Sequence, residues 1–207
     1  DDLFFSKILS DYTERADAGK NVFSFNISMQ GHAPYPSDML LDGRAYWSSE
    51  SCPQDIAYSF NNYLALQKDT LTQLTGLIDG LRLRDEPVVL MLYGDHMPDI
   101  SIDGNSIFAQ EGINFDISTR QGFMNYYSTP YIIWANDAAK QVCGNDFTGE
   151  GETVSIGFLM NVLFEELGWK GSSYMQLTSD IRRSLSVATA NGQYIERPFG
   201  WHASIMI

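Results

Sequence analysis

Cysteine, histidine and cationic side chains are all scarce in this sequence, and each scarcity narrows its chemistry. The two cysteines, Cys52 and Cys143, have a separation that fits no zinc or redox spacing. The reading favoured is two thiols over one bridge, a matter that the redox compartment decides. Thirteen Lys and Arg stand against 26 Asp and Glu, a formal charge of −13, so nucleic-acid phosphates would be repelled. No apolar run is long enough to span a bilayer, and no signal peptide opens the chain. The first residue is Asp rather than Met, which predicts a piece of a longer protein. Absent targeting segments therefore say little about the whole. A nucleophile is also missing: there is no Gly-x-Ser-x-Gly elbow, neither cysteine has an adjacent base, and no Gly-rich phosphate loop precedes a helix.

What is present suits a folded enzyme domain. The 207 residues are 44% hydrophobic and 13% aromatic, enough for one domain over 1–207 with a sizeable core. The organising stretch is Pro87 to Ile100, PVVLMLYGDHMPDI. Val88 to Tyr93 is a continuous apolar run ended by Gly94, the pattern of a strand buried on both faces. Asp95 and His96 follow at once. Open α/β sheets carry their chemistry beyond the carboxyl ends of strands, so this pair is a candidate metal site.

Upstream, Asp2 to Thr13 has Leu3, Phe4, Ile8 and Leu9 at helical spacing. Val22 to Met29 alternates polar residues with Phe23, Phe25, Ile27 and Met29, which predicts a strand. Gln30 to Pro36, with a glycine and two prolines, is a loop that places His32 just past that strand's end. Ser51, Pro53 and Gln54 read as a helix start, opening the longest helix, which runs to Leu81 with one apolar stripe. Strand, helix, strand predicts a right-handed crossover between parallel strands. That crossover would bring His32 and Asp95-His96 to one sheet edge. Further on, Ser101 to Tyr127 shows no clear period. Tyr131 to Ala135 reads as a strand, Thr153 as the cap of a helix from Val154 to Leu167 ended by Gly168, and Ser184 to Ile195 as a strand or hairpin around Asn191-Gly192. The architecture predicted is α/β, a mainly parallel sheet flanked by helices, with no internal repeat or domain boundary.

Each candidate has a plain reading beside its chemical one. Asp after Gly is ordinary turn chemistry, yet a carboxylate beside an imidazole at a strand end suits Mn²⁺ or Zn²⁺, with Mg²⁺ less natural. His32 is either a loop histidine bonded to backbone or an imidazole that contacts a phosphate or acts as a general acid. His202 has no supporting context. Two metal ligands are too few for a closed site, so the remaining ones lie outside the chain or in residues the sequence does not flag.

Four segments, in order over about residues 1–136, then point to a family. Phe25 to Tyr35, with Gln30-Gly31-His32-Ala33-Pro34-Tyr35, resembles the strand and His-x-Pro-Tyr/Phe loop of lipoteichoic acid synthase-like enzymes, in the sulfatase branch of the alkaline phosphatase superfamily. Tyr58 to Leu64 resembles the helix after that loop, Leu92 to Pro98 the Gly-Asp-His metal motif, and Thr129 to Trp134 the later Thr/Val-Pro strand. The resemblance implies a membrane-anchored enzyme with its catalytic domain facing outwards. It implies a divalent metal, typically Mn²⁺, and transfer of phosphoglycerol through a covalent threonine intermediate. On this likeness Asp95 and His96 are metal ligands, and His32 touches the substrate phosphate. The family's N-terminal half, which supplies the threonine, a metal-binding Glu and a further His, Trp and Arg, has no counterpart here. The chain is thus expected to be the C-terminal part of a catalytic domain truncated on its N-terminal side. It is expected to be inactive alone, to bind metal weakly, and to self-associate through uncovered apolar faces. Membrane attachment would come through the missing region alone. A sulfatase-like or phosphodiesterase hydrolase, and a non-catalytic domain binding a surface polymer, are the alternatives.

Overall fold

The computed structural model describes residues 2–102, 105–188, 194–196 and 200–202. In chain order it forms α1 (Asp2–Asp17), α2 (Gln54–Arg82), β1 (Val89–Tyr93), β2 (Ser101–Ile102), β3 (Asn105–Ser106), α3 (Ile107–Gln110) and α4 (Arg120–Tyr127). Then come β4 (Tyr131–Ala135), α5 (Asp137–Cys143), α6 (Leu159–Glu166), α7 (Ser173–Ser184), β5 (Leu185–Ala188), β6 (Tyr194–Glu196) and β7 (Gly200–His202). The elements fall into two compact units: Asp1–Glu86 with Pro98–Gly112, and Pro87–Met97 with Ile113–Ile207.

The first unit is built on α2. Its apolar stripe buries Phe60, Leu77 and Leu81, and Phe60 forms a core with Ile100 and Ile107. Trp47 and Phe108 meet the Phe60 ring edge-on, with centroids 5.2 and 5.4 Å away, the arrangement that aromatic quadrupoles favour. Gly80 weakens the helix on propensity but has a packing reason. A Cβ there would lie 2.5 Å from Leu9 Cδ2, so the missing side chain lets α1 approach. The loop from Pro36 to Trp47 has no regular structure and is held by two buried amides of α2. Asn62 Oδ1 accepts from Leu41 N, and its Nδ2 donates to the carbonyls of Pro36 and Met39, all at 2.8 Å. Asn61 Oδ1 accepts from Tyr46 N and Trp47 N at 2.5 and 2.8 Å, and its Nδ2 returns a bond to Trp47 O at 2.9 Å. Buried polar groups need such partners, and here they replace secondary structure.

The second unit pairs β1 with β4 antiparallel, from Val89 opposite Ala135 to Tyr93 opposite Tyr131. Asn136 ends the ladder. Its backbone N donates to Val88 O at 3.0 Å, and its Oδ1 accepts from Val88 N and from Ala139 N, capping α5. Strands β5, β6 and β7 form an antiparallel sheet, and α6 and α7 are tied by Asn161, whose Nδ2 donates to Met175 O, Thr178 Oγ1 and Ser179 Oγ at 2.9 Å.

Several expectations are corrected. Val22–Met29 is assigned to no strand, and Phe23, Phe25, Ile27 and Met29 are exposed. Strand formation needs a ladder partner, which alternation alone does not provide, so the parallel crossover does not form among the described residues. The partner of β1 is β4, and every pairing among the described residues is antiparallel. Ser51 bonds Ser49 through the hydroxyls at 3.0 Å and does not cap α2. Thr153 caps nothing; a 3-10 turn at Ile156–Phe158 leads into α6. Helices α5 and α7 were not expected, nor the short elements between Ser101 and Tyr127. The hairpin forms as β5 and β6, but Asn191-Gly192 lies outside the described residues. Cys52 and Cys143 are both free.

Candidate functional site

The turn after β1 is pinned before any functional side chain appears. Gly94 N donates to Pro130 O at 3.1 Å, and Thr129 Oγ1 donates to Gly94 O at 2.6 Å. A Cβ on Gly94 would stand 3.0 Å from Thr129 Cβ, so glycine permits this close approach. The Thr129-Pro130 pair at the head of β4 thereby fixes where Asp95 leaves the ladder.

Asp95 Oδ1 accepts from the backbone N of His96 at 2.9 Å. His96 Nδ1 lies 2.8 Å from Met97 O. A carbonyl only accepts, so this bond places a proton on Nδ1, and in the Nδ1–H tautomer the lone pair lies on Nε2, the arrangement in which a backbone carbonyl orients a ligand histidine. Asp95 Oδ2 and His96 Nε2 are 3.6 Å apart, too far to bond each other well. Donors bound to one cation at roughly 2.1 Å in tetrahedral geometry lie about 3.4 Å apart. Both side chains are exposed. The donor set, one hard oxygen and one imidazole nitrogen, fits Mn²⁺ or Zn²⁺. Among the described residues no group of three or more His, Cys, Asp or Glu gathers to hold an ion.

His32 belongs to the other unit. Its backbone N donates to Met29 O at 3.1 Å, and Nδ1 lies 2.6 Å from Ala33 O. The loop is fastened by Tyr35 Oη, which donates to Gly31 O at 2.7 Å, and by Gln30 Nε2, which reaches Asp69 Oδ2 on α2 at 2.5 Å. His32 is exposed on this loop, and a protonated ring would offer Nε2–H to an anion. The structure thus brings Asp95 and His96 together in one unit and sets His32 in the other. The side chain of His202 lies outside the described residues. Cys52 makes a poor nucleophile, since burial first, and Asp55 second, push its thiol pKa up.

A cleft of about 610 Å³ runs from Asp95 along Tyr93, Tyr127 and Tyr131 to the segment Gly149–Ile156. The sequence reading missed it. Tyr126-Tyr127 just before Thr129-Pro130 was the one available signal; Gly149-Glu150-Gly151-Glu152 looks like any polar loop.

Residues 1–163 match the family described as Sulfatase. A putative cyclic β-1,2-glucan modification protein of Rhizobium meliloti (strain 1021) is 23% identical over 154 residues, which is 73% of this chain and 23% of that protein. Among solved structures, the Streptococcus pyogenes phosphoglycerol transferase GacH, in complex with sn-glycerol-1-phosphate, aligns with a TM-score of 0.61 at 19% identity. It covers 87% of this chain and 41% of that one. The chain therefore spans about a quarter of the one relative and two fifths of the other, and the likeness to GacH shows a shared α/β fold.

Proposed function

We propose, for a chain that belongs to the sulfatase family and shares its alkaline phosphatase-like fold with a phosphoglycerol transferase, that it is part of a metal-dependent phosphotransferase of the lipoteichoic acid synthase type. The observation that carries this reading is the Asp95–His96 arrangement just past β1, a carboxylate oriented by His96 N beside an imidazole oriented by Met97 O. These two residues would hold a divalent cation, Mn²⁺ being favoured over Zn²⁺ or Mg²⁺. When bound, such a cation neutralises charge on a transferring phosphoryl group and lowers the pKa of an attacking hydroxyl. Asp95 and His96 position it; His32, when protonated, binds a phosphate oxygen. The substrate is of phosphoglycerol type, consistent with sn-glycerol-1-phosphate bound to GacH. A threonine nucleophile and a metal-binding Glu would come from outside these 207 residues, and the site would face the outside of the cell membrane. No helix among the described residues is long and apolar enough to cross a membrane.

The test compares the longer protein with this chain alone. With Mn²⁺ present, the longer protein should release phosphoglycerol from a phosphatidylglycerol-type donor, and a chelator should stop it. The 207-residue chain alone should give no turnover under the same conditions. Turnover by the chain alone, or by the longer protein in excess chelator, would overturn the proposal. Release of sulfate from an aryl sulfate in place of phosphoglycerol would favour the hydrolase alternative.

A further inference from the structure

We infer that the hydroxyl of Thr129 is a positioning group for the Asp95–His96 pair and sets how tightly this pair holds a cation. This rests on the metal-dependent reading and adds a residue that takes part without touching the cation or the substrate.

Pro130 cannot make a hydrogen bond that its place in the sheet calls for. The β1–β4 register runs from Val89 opposite Ala135 to Tyr93 opposite Tyr131, so one further step sets Gly94 opposite Pro130. Opposed residues in an antiparallel ladder alternate between pairs that exchange two backbone bonds and pairs that exchange none. Gly94 N donates to Pro130 O at 3.1 Å, which makes this a pair of the first kind. The returning bond would run from Pro130 N to Gly94 O, and proline has no N–H to give. Thr129 Oγ1 supplies it instead, at 2.6 Å. The far end of the ladder closes in the same manner. Asn136 N donates to Val88 O at 3.0 Å, and the return from Val88 N goes to Asn136 Oδ1 at 2.9 Å. Each end is finished by one side chain, and the Thr129 end is the one that leads into the candidate ligands.

Planarity of the peptide unit carries this effect to the site. The bond from Gly94 N fixes the peptide unit before Gly94. The bond from Thr129 fixes the unit after it, in which Gly94 C=O and Asp95 N–H share one plane, and so sets the direction in which the chain enters Asp95. Glycine's wide φ/ψ freedom is what makes the second hold necessary. Its missing Cβ is what makes the hold possible, because a Cβ there would stand 3.0 Å from Thr129 Cβ. The bonds that orient the two ligands, from His96 N to Asp95 Oδ1 and between His96 Nδ1 and Met97 O, lie within residues 95–97. They shape that segment, and the Gly94 peptide attaches it to the sheet. Without the hydroxyl the peptide unit leading into Asp95 is free to turn, and the pair must be ordered again each time a cation binds.

The experiment is a Mn²⁺ titration of the isotope-labelled 207-residue chain, read from paramagnetic broadening of the amides of Asp95 and His96. In the wild-type chain these signals should broaden selectively and saturably. Thr129→Val is nearly isosteric and lacks the donor. It should lower the apparent Mn²⁺ affinity about tenfold, the lower end of what losing an outer partner of a metal ligand costs. Thr129→Ala should fall with it, a second route to the same loss. Thr129→Ser keeps the donor and should stay within about twofold of wild type. Tyr131→Phe removes the bond from Tyr131 Oη to Glu152 O and leaves Gly94 untouched, so it too should hold its affinity. Circular dichroism checks that each variant is folded. Wild-type affinity in folded Thr129→Val or Thr129→Ala overturns the inference and leaves the metal reading standing. So does a Thr129→Ser chain as weak as Thr129→Val, since the hydroxyl would then not be the agent. Equal weakening by Tyr131→Phe also overturns it, because general loosening of β4 would then account for the loss. If Mn²⁺ broadens neither amide in the wild-type chain, the metal reading itself falls and takes the inference with it.

Discussion

Asp95→Asn in the longer protein should reduce Mn²⁺-dependent phosphoglycerol transfer on the order of 10³-fold, the scale at which loss of a group that stabilises transition-state charge is felt. The substitution is nearly isosteric, and the amide oxygen can still accept from His96 N, the bond that Asp95 Oδ1 makes at 2.9 Å. The turn is moreover held independently by Gly94, Thr129 and Pro130. Stability should therefore be almost unchanged, and what is lost is a negative charge 3.6 Å from His96 Nε2. The apparent affinity for Mn²⁺ should fall with the rate, and raising Mn²⁺ should recover part of it. His96→Gln should behave in the same direction, since it removes the imidazole whose Nδ1 is fixed on Met97 O. Steady-state kinetics across a Mn²⁺ titration measures both. Retention of wild-type activity in Asp95→Asn would leave the non-catalytic, polymer-binding reading as the better one.

Arg182→Ala should cost about 3 kcal/mol of stability, the lower end of what breaking a buried ion pair costs. Arg182 projects from α7 with its side chain 7% exposed and pairs with Glu152 from the loop and Glu165 from α6. Removing it leaves two carboxylates facing each other's field without a cation. Both keep some access to water, Glu165 more than Glu152, which holds the figure at the lower end. Arg182→Lys should recover only part of the loss, because one ammonium cannot serve two carboxylates as a planar guanidinium does. Chemical denaturation of this chain monitors the effect. A change below about 1 kcal/mol would mean that the pairs are worth no more than surface ones. Because the carbonyl of the same Glu152 receives the Tyr131 hydroxyl, the cleft wall should loosen along with the helices.

Legibility in the sequence follows what each residue pattern can encode. Helix α2 was legible nearly to its ends because a long stripe of Ile56, Phe60, Tyr63, Leu64, Leu71, Leu74, Ile78 and Leu81 admits only one period. The strand nature of β1 was legible from its unbroken apolar run, but its partner was not. Such a run predicts a strand covered on both faces, whereas Val89–Leu92 are only half-buried and Tyr93 is exposed, and it does not say in which direction the neighbour runs. Val22–Met29 has the alternation of a strand and is none here, since pairing belongs to two segments at once. Helix α7 was missed because Ser, Gln, Thr, Asp and Arg dominate Ser173–Ser184 and its one deeply buried side chain is the charged Arg182. At the candidate site, the placement of Asp95 and His96 just past a strand was legible. The contact of His96 Nδ1 with Met97 O was not, because it depends on where that carbonyl turns. The cleft was illegible for a similar reason: its walls come from three separated segments that share no motif.

Asn61 and Asn62 carry a consequence for how the first unit opens. A stretch from Pro36 to Trp47 with no ladder of its own would ordinarily exchange its amide hydrogens within minutes, each at its own local rate. Here the protons on Leu41, Tyr46 and Trp47 sit on side-chain oxygens of α2. They should be released only when that helix gives way, so deuterium uptake at these three amides should follow a single shared rate, that of the middle of α2. In thermodynamic terms the irregular stretch is a limb of the helix.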